Sequence, residues 1–291
     1  MIQLKAAVLE TCTTDRPFAE SRPLTLQTID AEPPGPGEVL VRIRAVSLCR
    51  SDLSVITGVR AWPMPIVPGH EASGIVEEVG SHDSPFAAGD QVVLVYQPQC
   101  GTCSCCVGGD GHLCEPGLAA NRAGALLTGG PRLKLNGEPI HHHMGLSAFA
   151  EMAVVSEKSL VKVEKDLPAD IAALTGGGVD CALESAGVLE AFETAYASAK
   201  RGGRVVTLGL VSPKTPYALD VAAHVTGAKA LIGSYMGSCN APLDIPKFVG
   251  LYKSGKFPVD KLITKRLPLT DINLALDNMA DSRELRQVLT P

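Results

Sequence analysis

Five of the chain's nine cysteines lie between Cys100 and Cys114, and no other stretch restricts the local fold as tightly. Cys100, Cys103, Cys106 and Cys114 stand three, three and eight residues apart, padded by Gly101, Gly108, Gly109 and Gly111. Four thiolates at this spacing, with glycine turns between them, can converge tetrahedrally on one Zn²⁺. Such a closed site has no open coordination position, so its expected role is to fold the loop rather than to react. Unrelated thiols are the competing explanation. Cys105 is the spare, a bystander or an exchangeable ligand. Disulfides explain the count less well: the segment opening Met1-Ile2-Gln3-Leu4-Lys5 lacks an apolar export core with a small-residue cleavage site. A cytoplasmic protein with reduced thiols is therefore the expectation.

A second cluster runs from Cys49 to Gly80, with Cys49-Arg50-Ser51-Asp52 followed by Pro68-Gly69-His70-Glu71-Ala72. Cys49, His70 and Glu71 can give three donors to a second metal and leave room for water or substrate, the pattern of a catalytic zinc. On the residues alone, a satisfied turn histidine and a surface carboxylate explain them about as well.

At 291 residues the chain exceeds one comfortable core, so two domains are expected, or one split by another inserted in sequence. No apolar run approaches the roughly eighteen residues of a membrane span. A net charge of −5 without a basic block argues against nucleic acid as the main partner. Six Phe, five Tyr and one Trp leave the core to Val, Ile, Leu and Ala, which suits barrel or parallel α/β packing.

Residues 4–9, 24–29, 73–79, 91–95, 149–155 and 159–163 read as strands. In 39–46, Val41, Ile43 and Ala45 alternate with Arg42 and Arg44, a half-buried β signal. Short strands at this spacing predict a partly closed barrel. Periodicity fails from Cys100 to about Gly145, apart from a hairpin at 132–135 turned by Asn136-Gly137. Pro168-Ala169-Asp170 opens a helix. After Leu174 the pattern becomes parallel α/β: strands near 179–183, 204–208, 228–233 and 264–267, and helices over 188–199, 242–253 and 270–280.

Cys49-Arg50-Ser51-Asp52, the run Gly69-His70-Glu71-Ala72-Ser73-Gly74 to Gly80, Gly89-Asp90-Gln91-Val92-Val93 and the four-cysteine loop together resemble the zinc-dependent medium-chain alcohol dehydrogenases. The resemblance implies an α/β fold: a GroES-like β-barrel catalytic domain (1–174), a truncated Rossmann-type parallel sheet as remnant of the nucleotide-binding domain (175–236), and a C-terminal return to the catalytic domain (237–291). It implies an oxidoreductase in which zinc polarises a small-molecule alcohol or aldehyde and hydride passes to or from NAD or NADP. By the same resemblance Cys49 and His70 ligate the catalytic zinc, and Glu71 is the carboxylate that approaches or leaves it. Asp52 orients His70, and Ser51 takes the alcohol proton. Ser54 stands where the family often has the histidine that passes this proton on. Arg50 and Arg286 grip the cofactor pyrophosphate, a homodimer forms through the last sheet strand, and Trp62 lines the substrate cleft, with core packing as its competing role.

The pattern breaks after Asp170-Ile171-Ala172-Ala173-Leu174. The Gly-Cys pair carrying the last zinc ligand, the first strand, its glycine-rich turn and the acidic ribose-binding residue are all missing. At about 30 residues per βαβ unit the gap is on the order of 80 residues. Gly176-Gly177-Gly178 lacks the dinucleotide spacing, so NAD and NADP cannot be distinguished. The expected activity is therefore impaired. A zinc-binding pseudoenzyme or assembly partner is the alternative, and hydrolysis by a zinc-bound water a third reading. His141-His142-His143 reads as surface or cleft-lining polarity, and Cys12, Cys181 and Cys239 as buried small hydrophobes.

Overall fold

The computed structural model describes residues 1–163, 182–198, 204–210, 215–227 and 229–291. It divides into two units: Met1–Thr175 with Asn240–Pro291, and Gly176–Cys239. The expected helix opening at Pro168, the glycine run 176–178 and Cys181 lie outside the described residues.

In the first unit, β1 (Ile2–Leu9), β2 (Leu24–Ala31), β3 (Glu38–Ser47), β4 (Ile66–Val67), β5 (Glu71–Val79), β6 (Gln91–Val95), β7 (Leu133–Leu135), β8 (Glu138–His142), β9 (Met152–Ser156) and β10 (Leu160–Lys162) follow one another. The second unit holds β11 (Ala182–Glu184), β12 (Arg204–Thr207) and β13 (Ala230–Gly233), and the chain returns with β14 (Lys265–Pro268) and β15 (Gln287–Thr290). Strands β1-β2-β7-β8-β4 close a barrel, so the barrel is complete rather than partly open. The closing strand β4 has two residues, too few to show a period. A seven-stranded sheet runs β10-β6-β5-β3-β15-β14, with β9 also paired to β3.

Alternation shapes β3, where Arg42 and Arg44 face out while Val41, Ile43 and Ala45 are buried. The β7–β8 hairpin turns through Asn136 (φ 53°) and Gly137 (φ 87°), the left-handed pair that a two-residue hairpin needs. Leu4, Val8, Ile29, Leu133 and Ile140 fill one apolar cluster. The other packs Val41, Ile43, Ala72, Val92 and Leu94 with Ile272, Ala275 and Leu276 of the helix Ile272–Ala280.

The second unit is a parallel sheet in the order β11-β12-β13, with Ala182 opposite Val205 and Val205 opposite Leu231. Three consecutive parallel strands with the helices Leu189–Ser198 and Val221–Gly227 form one half of a doubly wound fold. The truncated Rossmann-type sheet is therefore present.

Candidate metal centres

The cysteine loop is not irregular throughout: it carries the short helices Ser104–Val107 and Glu115–Arg122. The first has four residues, too few to show a period, and the second is capped by a thiol. Cys114 caps the second helix, its sulfur accepting from Gly117 N at 3.4 Å and from Cys100 N at 3.3 Å. The sulfurs of Cys100, Cys103, Cys106 and Cys114 all lie within 4.8 Å of one another, with Cys100–Cys106 at 3.9 Å and Cys103–Cys114 at 4.0 Å. A tetrahedron with Zn–S of about 2.3 Å has edges of about 3.8 Å, so the four thiols fit that ion. Amide donors, first among them Thr102 N, pull the Cys100 thiol down to about 6, whereas burial pushes Cys106 up to about 12. Cys105 is outside the sulfur cluster. Cys12 is exposed and Cys239 half-buried, so neither is the buried hydrophobe expected.

The second centre is assembled around the helix Arg50–Ile56, whose cap is Cys49. Asp52 reaches back from the third helical position, Oδ2 accepting from Cys49 N at 2.9 Å, while the Cys49 sulfur accepts from the Asp52 amide. This reciprocal box aims both side chains at the helix N-terminus. Across from it, Gly69 (φ 92°) turns the chain so that His70 enters the same space at 3% exposure. His70 Nδ1 lies 3.0 Å from Asp52 Oδ1, and Nε2 lies 3.0 Å from Ser51 Oγ, which donates to Cys49 Sγ at 3.1 Å.

Burial opposes charge on both members of the His70–Asp52 pair. Their mutual attraction and hydrogen bond prevail, raising His70 well above the usual imidazole range and holding Asp52 below the usual carboxylate range. Donor atoms of Cys49, His70 and Glu71 converge within 4.8 Å. A thiolate, an imidazole oriented by a carboxylate, and a second carboxylate form a donor set that suits zinc.

Arg286 donates through Nη1 to Glu71 Oε2 at 3.2 Å, and Arg50 through Nη2 to Ser282 Oγ at 2.6 Å. Both expected phosphate-gripping residues are thus engaged by side chains of the first unit. Trp62 is half-buried and donates from Nε1 to the His142 carbonyl at 3.1 Å. Ser54 is committed to the Arg50 carbonyl at 3.2 Å.

Of the histidine run, His141 is half-buried, whereas His142 (1% exposed) and His143 (0%) are buried and so are not the surface half of the surface-or-cleft-lining expectation. His143 belongs to this centre: its ring meets those of His70 and Trp62 edge-on at 5.0 Å, with Nδ1 3.5 Å from Asp52 Oδ1. Sequence reasoning missed it because its burial depends on a chain reversal at 143–149, where Ala148 N and Phe149 N donate to the carbonyls of Gly69 and Pro68, each at 3.0 Å.

His142 has a separate consequence. Burial, reinforced by Arg132, pushes its pKa down to about 3, and its Nε2 accepts from Arg132 N at 3.1 Å. The folded chain keeps it neutral, whereas the unfolded chain protonates it below about 6.5. Stability is therefore lost as pH falls from about 6.5 towards 3, by about 1.4 kcal/mol per pH unit for one such group. Urea titrations between pH 6 and 4 should show a shallower loss in His142→Gln; an unchanged slope would contradict the assignment.

Residues 35–165 match the profile of the alcohol dehydrogenase GroES-like domain, and residues 151–254 that of zinc-binding dehydrogenases. A Mycobacterium tuberculosis protein provisionally named alcohol dehydrogenase D is 29% identical over 364 aligned residues, covering 94% of this chain and 97% of that protein. The aligned stretch exceeds the chain's 291 residues, so it includes gaps in this chain of more than 70 positions, in line with an internal deletion. The zinc-binding-domain alcohol dehydrogenase protein of Burkholderia ambifaria is similar in structure, with a TM-score of 0.87, 26% identity and 99% of each chain covered. Benzyl alcohol dehydrogenase of Acinetobacter calcoaceticus shares the fold, with a TM-score of 0.84 and 24% identity over 100% of this chain and 99% of that one.

Proposed function

Because the chain belongs to the zinc-dependent medium-chain alcohol dehydrogenases, we propose that its first unit is a catalytic domain. There a small alcohol is oxidised to its aldehyde or ketone, or the reverse, with hydride exchanged with NAD or NADP. The carrying observation is the placement of the Ser51 hydroxyl, 3.1 Å from Cys49 Sγ and 3.0 Å from His70 Nε2. A hydroxyl held between two ligating atoms stands where a substrate alcohol must lose its proton.

A zinc ion held by Cys49, His70 and Glu71 would supply Lewis-acid polarisation of the substrate oxygen. Ser51 Oγ would accept the substrate proton while releasing its own to solvent, Asp52 keeps His70 oriented, and the half-buried Trp62 excludes water from the cleft. Arg50 and Arg286 are the cations for the cofactor phosphates, with Arg286 shared with Glu71. Cys100, Cys103, Cys106 and Cys114 hold a second, structural zinc. The second unit is the nucleotide-binding remnant, and the chain forms a homodimer in the cytoplasm. Among the described residues no helix is long and apolar enough to cross a membrane.

The gaps opened against the relative favour a second reading: a zinc-loaded protein whose turnover is weak or nil because half of the nucleotide fold is gone. One experiment separates the two. Nicotinamide reduction with a panel of primary and secondary alcohols should be detectable in the zinc-loaded chain and abolished in Cys49→Ala. Calorimetric titration showing no NAD or NADP binding at millimolar concentration would sink the dehydrogenase reading and leave the pseudoenzyme.

A further inference from the structure

His143 is a fully buried imidazole whose two ring nitrogens both lack a hydrogen-bond partner. Leaving buried polar atoms unpaired is costly, and a packed core rarely retains such a group without compensation. The ring is nonetheless held firmly. Trp62 Nε1 fastens the preceding carbonyl at 3.1 Å, and the His143 amide donates to Ser147 Oγ at 3.2 Å. The left-handed residues Met144, Gly145 and Ser147 then return the chain to Gly69, next to His70. One ring nitrogen therefore points at a single atom: Nδ1 lies 3.5 Å from Asp52 Oδ1, the oxygen that His70 Nδ1 approaches at 3.0 Å. The other carboxylate oxygen is taken by Cys49 N at 2.9 Å. A neutral imidazole carries one N–H to donate, and Asp52 Oδ1 is the acceptor that faces Nδ1.

We propose that His143 is a positioning residue for the zinc ligand His70, acting through Asp52. Its Nδ1–H is a second donor to Asp52 Oδ1, extending the ligand–carboxylate pair into a chain of three buried side chains. The present 3.5 Å lies just beyond the hydrogen-bond range of about 2.7–3.2 Å. A small rotation of the ring would close that gap and pair one orphaned nitrogen. The role rests on the metal reading above. It places the reason for His143 in how Asp52 is held rather than in direct ligation, because Asp52 already has partners on both oxygens.

The test is zinc affinity, measured by competition with a chromophoric chelator on the full chain, with the four-cysteine site as internal reference. His143→Phe is expected to leave the first zinc untouched and weaken the second about tenfold. His143→Asn, whose amide can donate from nearly the same place, should restore most of that loss. Asp52→Asn combined with His143→Phe should bind the second zinc no more weakly than Asp52→Asn alone, since His143 acts only through that carboxylate. Second-site affinity in His143→Phe within twofold of the parent would overturn the proposal, as would equal losses in the Phe and Asn variants. A cobalt-substituted parent whose visible spectrum changes in His143→Asn would show direct ligation and overturn it too. A parent chain that binds only one zinc would remove the metal reading itself and this inference with it.

Discussion

Cys114→Ser is expected to cost the chain one zinc ion and the order of the whole 100–122 segment. The Cys114 sulfur is one of four thiols in the cluster, and it also accepts the amides of Cys100 and Gly117 at 3.3 and 3.4 Å. Four-ligand zinc binding is worth about 10–16 kcal/mol in small zinc modules, far more than this glycine-padded loop can recover by packing. The damage should spread, because Gln97 Nε2 donates to the Cys114 carbonyl at 3.0 Å and Asn121 Nδ2 to the Tyr96 carbonyl at 2.7 Å. Tyr96 in turn packs edge-on against His70 at 5.5 Å. Metal analysis should show one fewer zinc per chain, and limited trypsin digestion should cut first at Arg122. Cys105→Ser is the control, since its sulfur is outside the cluster. Equal zinc loss in both variants would mean that the ligand set is wrong.

Gly69→Ala should be nearly as damaging without touching a ligand. A Cβ there would stand 2.6 Å from the Phe149 amide nitrogen and 2.7 Å from its ring, on a residue with φ of 92°. The obstacle is backbone, so relief requires moving Ala148 and Phe149, whose amides hold the carbonyls of Gly69 and Pro68. The expected loss is about 3–5 kcal/mol in urea denaturation, combining strain and overpacking. Gly89→Ala has the same kind of dihedral, φ 87°, but open space around the new carbon, and should lose only about 1 kcal/mol. Similar losses for the two variants would show that the Phe149 contact does not matter.

Sequence made the local features legible. The cysteine spacing, the Arg42/Arg44 alternation and the Asn136-Gly137 turn each depend on residues a few positions apart, so their physics can be read along the chain. The helix Arg50–Ile56 was not legible. It is seven residues long, and cysteine is not among the usual capping residues. Cys49, His70 and Glu71 were named because their donor types suit a metal, but the ion pair of Glu71 with Arg286 joins residues 215 positions apart. No local pattern encodes such a contact. The burial of His143 was not legible for the same reason: a histidine in a polar run gives no local sign of being buried, and only the reversal at 143–149 brings it edge-on to Trp62. The last strand, β15, spans only four residues and takes its conformation from β3 and β14 rather than from its own composition.

That last pairing sets the order of events during synthesis. Val288 sits opposite Ser47 and Leu289 opposite Val46, so β3 lacks this neighbour until almost the whole chain has emerged from the ribosome. At roughly 5–20 residues per second the exposed strand waits on the order of 10–50 seconds. Shortening the inserted second unit shortens that wait by the same arithmetic. A chain with a longer insertion between β3 and β15 would complete the same sheet correspondingly later.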